Sequence, residues 1–506
     1  MDMSERLASI DLGSNTFRLS IGRVVRQGGC AQVYTEDHLR ELVAMAEGLD
    51  EHQRLRPAAI EQALATLRRF GERLRGFPPA NVRCVATNTF RVARNAADIL
   101  PAAERALGFP IEIISGLEEA RLIYLGVMQD LPPTDHHRLV IDIGGGSTEF
   151  IIGRGKTPLQ LASLELGCTT LTRRFFPQGR ITEARMQQAI LAARVAIVGI
   201  ASRYRQAGWQ EAYGSSGTAK GLMAILRGNG LSQTGITASG MQQLRAGLVR
   251  RGQVRLEDWV GLKPERVPVL PGGLAIMIAA FHELGIDTMQ TGEGALRTGV
   301  LQDLLGRDQH RDQRDETVRQ FIRRYALDDG QAENVCRLAL ALFDQQPAAE
   351  DAIERLELRR ALGWTARLHE VGLAISRHDY HKHAAYILEH ADMPGFSHDD
   401  QKLLAFLALG HQGRLAKVRA CKPDAARWLA LLCLRLAVLF FRRRDAADVP
   451  AMTLQSAYPH VFLTLDARWL ADRPLTRFQL AAETRIWHKV GITLEILEAN
   501  AQSMPK

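Results

Sequence analysis

Two short segments of this chain repeat each other at one fixed spacing. Ile10-Asp11-Leu12-Gly13-Ser14-Asn15, followed by Ile21-Gly22-Arg23, returns as Ile141-Asp142-Ile143-Gly144-Gly145-Gly146, followed by Ile152-Gly153-Arg154. The aspartate, the first glycine and the Ile-Gly-Arg ending share a single offset of 131 residues. Chance does not hold one register over three separate features, so one supersecondary unit is present twice. Each copy reads as an apolar strand, a tight turn of small residues and a second alternating strand (17–21 and 150–152), which predicts a β-hairpin.

Between the copies, helical periodicity at 57–74 and 92–107 alternates with strand-like runs at 82–86 and 111–114. Alternation of this kind predicts an α/β fold, here two α/β domains of related topology at 1–124 and 125–306. The loop between them is 129–137, with Pro132-Pro133. The second domain continues through a strand ending at Tyr213, a glycine-rich turn at 214–217 and an apolar stretch at 267–284, and closes near Leu305. Residues 306–316 are charged and read as a linker. Beyond them the stretches 318–327, 332–343, 353–373, 381–390, 399–409 and 425–441 are all helical in pattern, which predicts a helical domain at 312–445. Strand signals return at 452–454, 461–465, 478–481 and 492–496, so a small α+β domain is expected at 446–506. A chain of 506 residues is too long for one hydrophobic core in any case.

With 46% apolar and 24% charged residues, the composition excludes a disordered, collagenous or coiled-coil chain. Sixty-four Lys+Arg against 56 Asp+Glu leave a formal charge of +8, which suggests an anionic partner. Much of that excess is local: ten Lys/Arg and a single acidic residue, Asp424, lie between Gln401 and Arg444. The six cysteines form no C-x-x-C pair and read as small buried hydrophobes of a reducing, cytoplasmic compartment. The first residues carry no apolar leader. The longest apolar run, 428–441, is broken by Arg435 and is shorter than the ~20 residues of a membrane span, so no integral membrane segment is expected.

The paired Asp-x-Gly turns suit a two-sided grip on phosphate. Glycine lets backbone N–H groups approach phosphate oxygens, and Ser14, Asn15, Ser147 and Thr148 add donors. Asp142 is placed to hold a divalent cation at that phosphate, with Glu149 close enough along the hairpin to assist. Residues 82–86 run into Thr87-Asn88-Thr89-Phe90-Arg91, a strand-to-helix passage whose N–H groups and Arg91 could also bind phosphate. Gly214-Ser215-Ser216-Gly217-Thr218 is glycine-rich, but Gly217 precedes Lys220 by three, so it is not a Walker A loop.

Asp11 to Asn15, Asp142 to Glu149 and Ser115-Gly-Leu-Glu-Glu-Ala-Arg121 resemble signature segments of the exopolyphosphatase and guanosine pentaphosphate phosphatase family. That family lies within the sugar kinase, actin and heat-shock ATPase superfamily. The resemblance continues through residues 214–218 and the helical region, so it spans nearly the whole chain. It implies two actin-like (ribonuclease H-like) α/β domains, an HD-like helical domain and the small α+β domain. It implies hydrolytic release of the terminal phosphate of inorganic polyphosphate, or of guanosine pentaphosphate, with Mg2+, K+ or another monovalent cation as a further ion, and a homodimer. A link to guanosine tetraphosphate belongs to the same family picture, and nucleic acid does not.

Residue by residue, the resemblance makes Glu119 the general base and Arg91 a phosphate grip. It makes the loop at Gly214, Ser215, Ser216, Gly217 and Thr218 a third phosphate loop beside Gly13 to Asn15 and Thr87, and Gly144, Gly145 and Gly146 with Ser147 and Thr148. Arg266 is a further phosphate contact. Glu118 is left as a surface or ion-paired neighbour. In the HD-like domain the metal motif is broken, reading His369-Glu370 with Val438 at the later aspartate position, although His378, His381, His383 and His390 cluster nearby. Arg414, Lys417, Arg419, Lys422 and Arg435 would then line a polyphosphate channel. Two other classes compete. Leu270-Pro-Gly-Gly-Leu-Ala275 resembles the adenosine-contacting glycines of an ATP-using kinase or actin-like ATPase, and a non-catalytic polyanion-binding protein would use the same loops.

Overall fold

A computed structural model describes residues 6–27, 30–308, 312–346, 352–442, 444 and 449–499. The chain divides into two compact units, Met1–Asp312 and Gln313–Lys506.

The first unit contains two sheets. In one, β1 (Arg6–Leu12), β2 (Thr16–Gln27), β3 (Cys30–Leu42), β4 (Val82–Ala86) and β5 (Ile111–Ile113) lie in the order β3-β2-β1-β4-β5. In the other, β6 (His137–Ile143), β7 (Thr148–Arg154), β8 (Thr157–Leu164), β9 (Glu211–Gly214), β10 (Ile236–Thr237) and β11 (Thr288–Thr291) lie in the order β10-β11-β9-β6-β7-β8. The repeat seen in sequence is thus a repeat of topology. An antiparallel meander (β1-β2-β3, β6-β7-β8) is extended on its first strand by parallel neighbours, β4 in one sheet and β9 in the other. The hairpin expected from each copy is the first half of that meander. Strands β3 and β8 carry mixed exposed and half-buried residues, which is why their sequences gave no clear alternation.

Two helices exchange sides. The Gly116–Asp130 helix leaves β5 of the first sheet but packs Leu122, Ile123 and Val127 in a cluster with Val140 and Ile151 of the second. The Leu296–Asp308 helix leaves β11 of the second sheet, and its Leu301, Leu304 and Leu305 pack with Leu7 and Val24 of the first. They cross on glycines. A Cβ on Gly299 would overlap the Leu122 carbonyl, and one on Gly126 would overlap the Ala295 carbonyl.

Several local expectations change. The helix expected at 92–107 is Ala96–Leu107, and Val92 instead ends a separate short helix, Asn88–Val92. Of the expected linker 306–316, the ends belong to helices Leu296–Asp308 and Gln313–Arg324, and 309–311 lie outside the described residues. Two helical stretches, Glu183–Ala207 and Pro264–Leu284, are long and apolar enough to span a membrane by length and composition; the second is mostly buried. Its Gly272 and Gly273 allow close packing on the Cys168–Phe175 helix and on Thr218, and the Gly272 N–H donates to Thr172 Oγ1 at 3.0 Å. That packing accounts for the glycine pair without a nucleotide. Five of the cysteines are free thiols, and four of these are buried.

The second unit is helical from Gln313–Arg324 through Ala425–Phe440, followed by a sheet of β12 (Met452–Ala457), β13 (His460–Asp466) and β14 (Thr493–Ala499). The strand expected at 478–481 is instead part of the Pro474–His488 helix, which starts on proline and buries Leu480 and Trp487. Two of the basic residues assigned to a channel are spent inside this unit. Arg435 is buried, paired with Glu483 at 2.7 Å and donating to the Gly410 carbonyl at 2.7 Å, so it holds the bundle together. Lys417 donates to the Gln412 carbonyl, and burial lowers it to about 8. Arg414, Arg419 and Lys422 are exposed. Arg443 lies outside the described residues.

The histidine cluster keeps two of the residues the sequence suggested, His369 and His381, and adds His411. His369, His381 and His411 pack ring against ring with Tyr380, whereas His378 and His390 are exposed. Among the described residues no group of three His, Cys, Asp or Glu is arranged to hold a metal ion.

Candidate active site

Asp11 and Asp142 end equivalent strands, and each faces the second strand of its own meander, Asp11 opposite Arg18 and Asp142 opposite Glu149. The same offset that relates the aspartates relates Arg18 to Glu149, so the duplicated unit presents a cation on one side and an acid on the other. The two turns approach across a cleft, and a Cβ on Gly145 would stand 3.3 Å from Ser14 Cβ. Each turn is braced from behind. The Ser14 carbonyl accepts from Ala46 N–H at 2.8 Å, and the Gly144 and Gly145 carbonyls accept from Cys168 and Thr169 at 2.9 and 3.0 Å.

A cavity of about 140 Å³ opens between the turns. Of the expected residues it is lined by Gly13, Ser14, Asn15, Thr87, Glu119, Asp142, Gly144, Gly145, Gly146, Ser147, Ser215, Ser216, Gly217 and Arg266, with Asp11 and Arg18 in addition. Others are brought near but used differently. Thr148 donates to the Leu166 carbonyl, Thr218 donates to the Ile143 carbonyl at 3.0 Å, and Ser216 Oγ caps the Gly217–Gly228 helix. Gly214 lies at the end of β9 and packs on Ala219. The hydroxyl protons of Thr148 and Thr218 are thus committed to the loops, whereas Ser216 accepts at the helix cap and still lines the cavity.

Glu119 sits in the first turn of the Gly116–Asp130 helix, capped by Ser115 Oγ, and its carboxylate pairs with Arg91 at 2.8 Å. Arg91 also donates to the Ile114 carbonyl at 3.0 Å. Its neighbour Glu118 is fully buried and ion-paired, so the surface alternative for that residue falls away.

Four carboxylates crowd this side of the cleft. Burial pushes Asp142 up to about 6, against a hydrogen bond from Ser215 and with the Glu119 charge adding to the rise. Burial likewise raises Asp11 to about 6, with Glu119 and Asp142 contributing. Glu149 is buried, accepts from Ser163 Oγ at 2.8 Å and is held well above the carboxylate range by burial and by Glu119 and Asp142.

The opposite wall is mainly cationic, although Arg40 and Lys220 pair there with Glu265 and Glu293. A second cavity of about 420 Å³ shares Arg18, Ser215, Gly217 and Arg266 with the first and adds Arg40, Lys220, Lys263 and Arg297. Burial, with repulsion among Arg18, Arg40 and their neighbours, lowers both Arg266 and Arg297. Sequence reading missed Arg18, although the repeat offset pointed at it, and missed Arg297, which no motif marks.

Residues 25–308 match the Ppx/GppA phosphatase family, and residues 313–484 match domain III of that family. The chain belongs to the Ppx/GppA phosphatase family. A protein of Aeromonas hydrophila subsp. hydrophila named guanosine-5'-triphosphate,3'-diphosphate pyrophosphatase is 39% identical over 505 residues, which is 99% of this chain and 100% of that one. An exopolyphosphatase of Cytophaga hutchinsonii superposes with a TM-score of 0.53 at 25% identity, over 59% of this chain and 97% of its own. An Aquifex aeolicus family member superposes with a TM-score of 0.50 at 24% identity, over 60% and 98%. The two α/β lobes are the actin-like pair of this family.

Proposed function

We propose that the cleft hydrolyses the terminal phosphoanhydride of a linear polyphosphate, and the observation that carries this reading is the cation-lined 420 Å³ cavity opening directly from the phosphate turns. The terminal phosphoryl group occupies the smaller cavity between the turns. Glu119 orients a water and takes its proton as the water oxygen attacks phosphorus; the bond to the bridging oxygen breaks, and the shortened chain leaves. Backbone and hydroxyl donors of the two turns face the charge that develops on the equatorial oxygens. The remaining phosphates lie in the larger cavity, whose lining has several Arg and Lys but no Phe, Tyr or Trp.

Asp142 and Glu149 would offer Mg2+ two carboxylates; no group of three acids is arranged for a metal among the described residues, so substrate phosphates would complete its shell, as is common for this ion. Bound there, it would neutralise charge on the phosphoryl oxygens. The raised carboxylates give this a pH signature. A carboxylate held above its ordinary value favours its neutral form, so its contribution to stability is complete below about 3.8 and is lost as pH rises through about 6. Mg2+ binds the ionised form. Calorimetry should therefore show Mg2+ raising the melting temperature by roughly 5 °C at pH 8 and hardly at all at pH 5, and Asp142→Asn should abolish the shift. An equal shift at both pH values would rule these carboxylates out as the site.

Guanosine pentaphosphate is the second reading, favoured by the name of the full-length Aeromonas relative. Phosphate release from long-chain polyphosphate and from guanosine pentaphosphate, measured side by side, separates the two. On the polymer reading polyphosphate is consumed faster, its KM rises steeply with salt, and Arg297→Ala raises KM about tenfold, as expected for one lost charge-assisted contact. Preference for the nucleotide would leave the cleft assignment intact and reassign the larger cavity. Transfer to an acceptor without net phosphate release would favour the kinase reading instead.

A further inference from the structure

We propose that a buried ion cluster behind the cleft, built from Arg83, Glu118, Arg121 and Asp303, is a positioning device for Glu119; this rests on the reading of Glu119 as the general base. Successive residues on a helix point about 100° apart, so when Glu119 faces the cleft Glu118 must face the interior. There it meets Arg121 through two contacts of 2.8 Å and lies 3.6 Å from Arg83. Arg83 in turn reaches Asp303 at 2.7 Å and Glu112 at 2.9 Å, Arg121 also pairs with Asp303, and Arg307 donates to Asp303 at 3.2 Å. Glu118 is fully buried, and Arg83, Arg121 and Asp303 are less than a tenth exposed.

The location is informative. Arg83 and Glu112 stand on β4 and β5 of the first sheet. Glu118 and Arg121 stand on the first turns of the helix that carries the base, and Asp303 stands on the helix that returns from the second sheet with Arg297 near its start. One cluster therefore fixes the base helix, the cation helix and the first sheet against each other at the point where the lobes exchange helices. Burial would push Asp303 up, but the guanidinium groups of Arg121 and Arg83 outweigh it and hold the acid ionised. Burying this many charges is not an economical route to stability, since buried ion clusters replaced by apolar residues are often neutral or better. Directionality is what they supply: each guanidinium fork fixes the distance and orientation of its carboxylate.

Arg121→Lys keeps the charge and loses the fork on Glu118, and Asp303→Asn keeps the shape and loses the shared acid. Both should be assayed in the full chain with polyphosphate and guanosine pentaphosphate, each rate divided by the folded fraction. The expected result is a kcat loss of about tenfold for Arg121→Lys and up to a hundredfold for Asp303→Asn, with KM within twofold. Combined with Glu119→Gln, neither should reduce kcat further, because the proposed effect on kcat runs through that carboxylate. A purely structural role would lower the melting temperature with kcat per folded molecule unchanged, or would multiply with the Glu119 loss, and either result overturns the proposal. If Glu119→Gln alone keeps normal turnover, it is the reading of the base that fails.

Discussion

Glu119→Gln should lower turnover about a thousandfold, within the 10²–10⁴ range of a lost general base, while KM stays level or falls. Glutamine keeps the size of the side chain but cannot take a proton from water. It also gives up the 2.8 Å ion pair with Arg91, whose second contact, to the Ile114 carbonyl, keeps the guanidinium in place. An arginine released from a carboxylate and still anchored is a better phosphate ligand, so ground-state binding should not suffer. Single-turnover phosphate release separates the two effects. A loss smaller than tenfold would mean that another group takes the proton, and the cleft offers Asp11 as the next candidate by position.

Gly167→Ala is expected to be nearly as damaging without touching substrate. Gly167 has φ −119°, an ordinary extended conformation, so backbone freedom is not what the glycine provides. It provides room: a Cβ there would overlap the Gly145 carbonyl and the Gly146 amide of the second phosphate turn. The turn is already tied to this segment by Cys168 and Thr169 N–H, so it must shift with it. A displacement of about 1 Å in a positioning loop can cost about a hundredfold in rate. The prediction is a protein that folds with a lowered melting temperature and whose kcat per folded molecule is reduced to about that extent. A catalytically normal alanine variant would show that the turn is free to move.

What the sequence made legible was what repeats or alternates. The two Asp-x-Gly turns were visible because their chemistry sits in short contiguous segments, Glu119 and the Ser215 to Gly217 loop through the family resemblance, and the structure brings them to one cavity. Residues that reach the site from a distance left no such trace. Arg297 arrives on a helix that has no motif, and Arg40 on a strand, β3, whose half-exposed pattern hid the strand itself. Hydroxyl roles were the other blind spot. Thr148 and Thr218 look like ligand donors in a glycine-rich string, yet each is consumed by a neighbouring carbonyl, and only the fold decides which. In the second unit Arg435 interrupts an apolar run and was assigned to a channel, but it is buried and paired with Glu483 within the bundle.

The exchange of helices between the two lobes has a consequence for how this chain is made. During synthesis the first sheet is complete once β5 emerges, but the helix that covers part of it is encoded almost two hundred residues later, at Leu296–Asp308. Until then Leu7 and Val24 lack the leucines they pack against. Chains halted before residue 296 should therefore be cut rapidly by protease near β1 and β2, and chains extended past residue 308 should resist. The order of the elements along the gene makes the first lobe the one that waits.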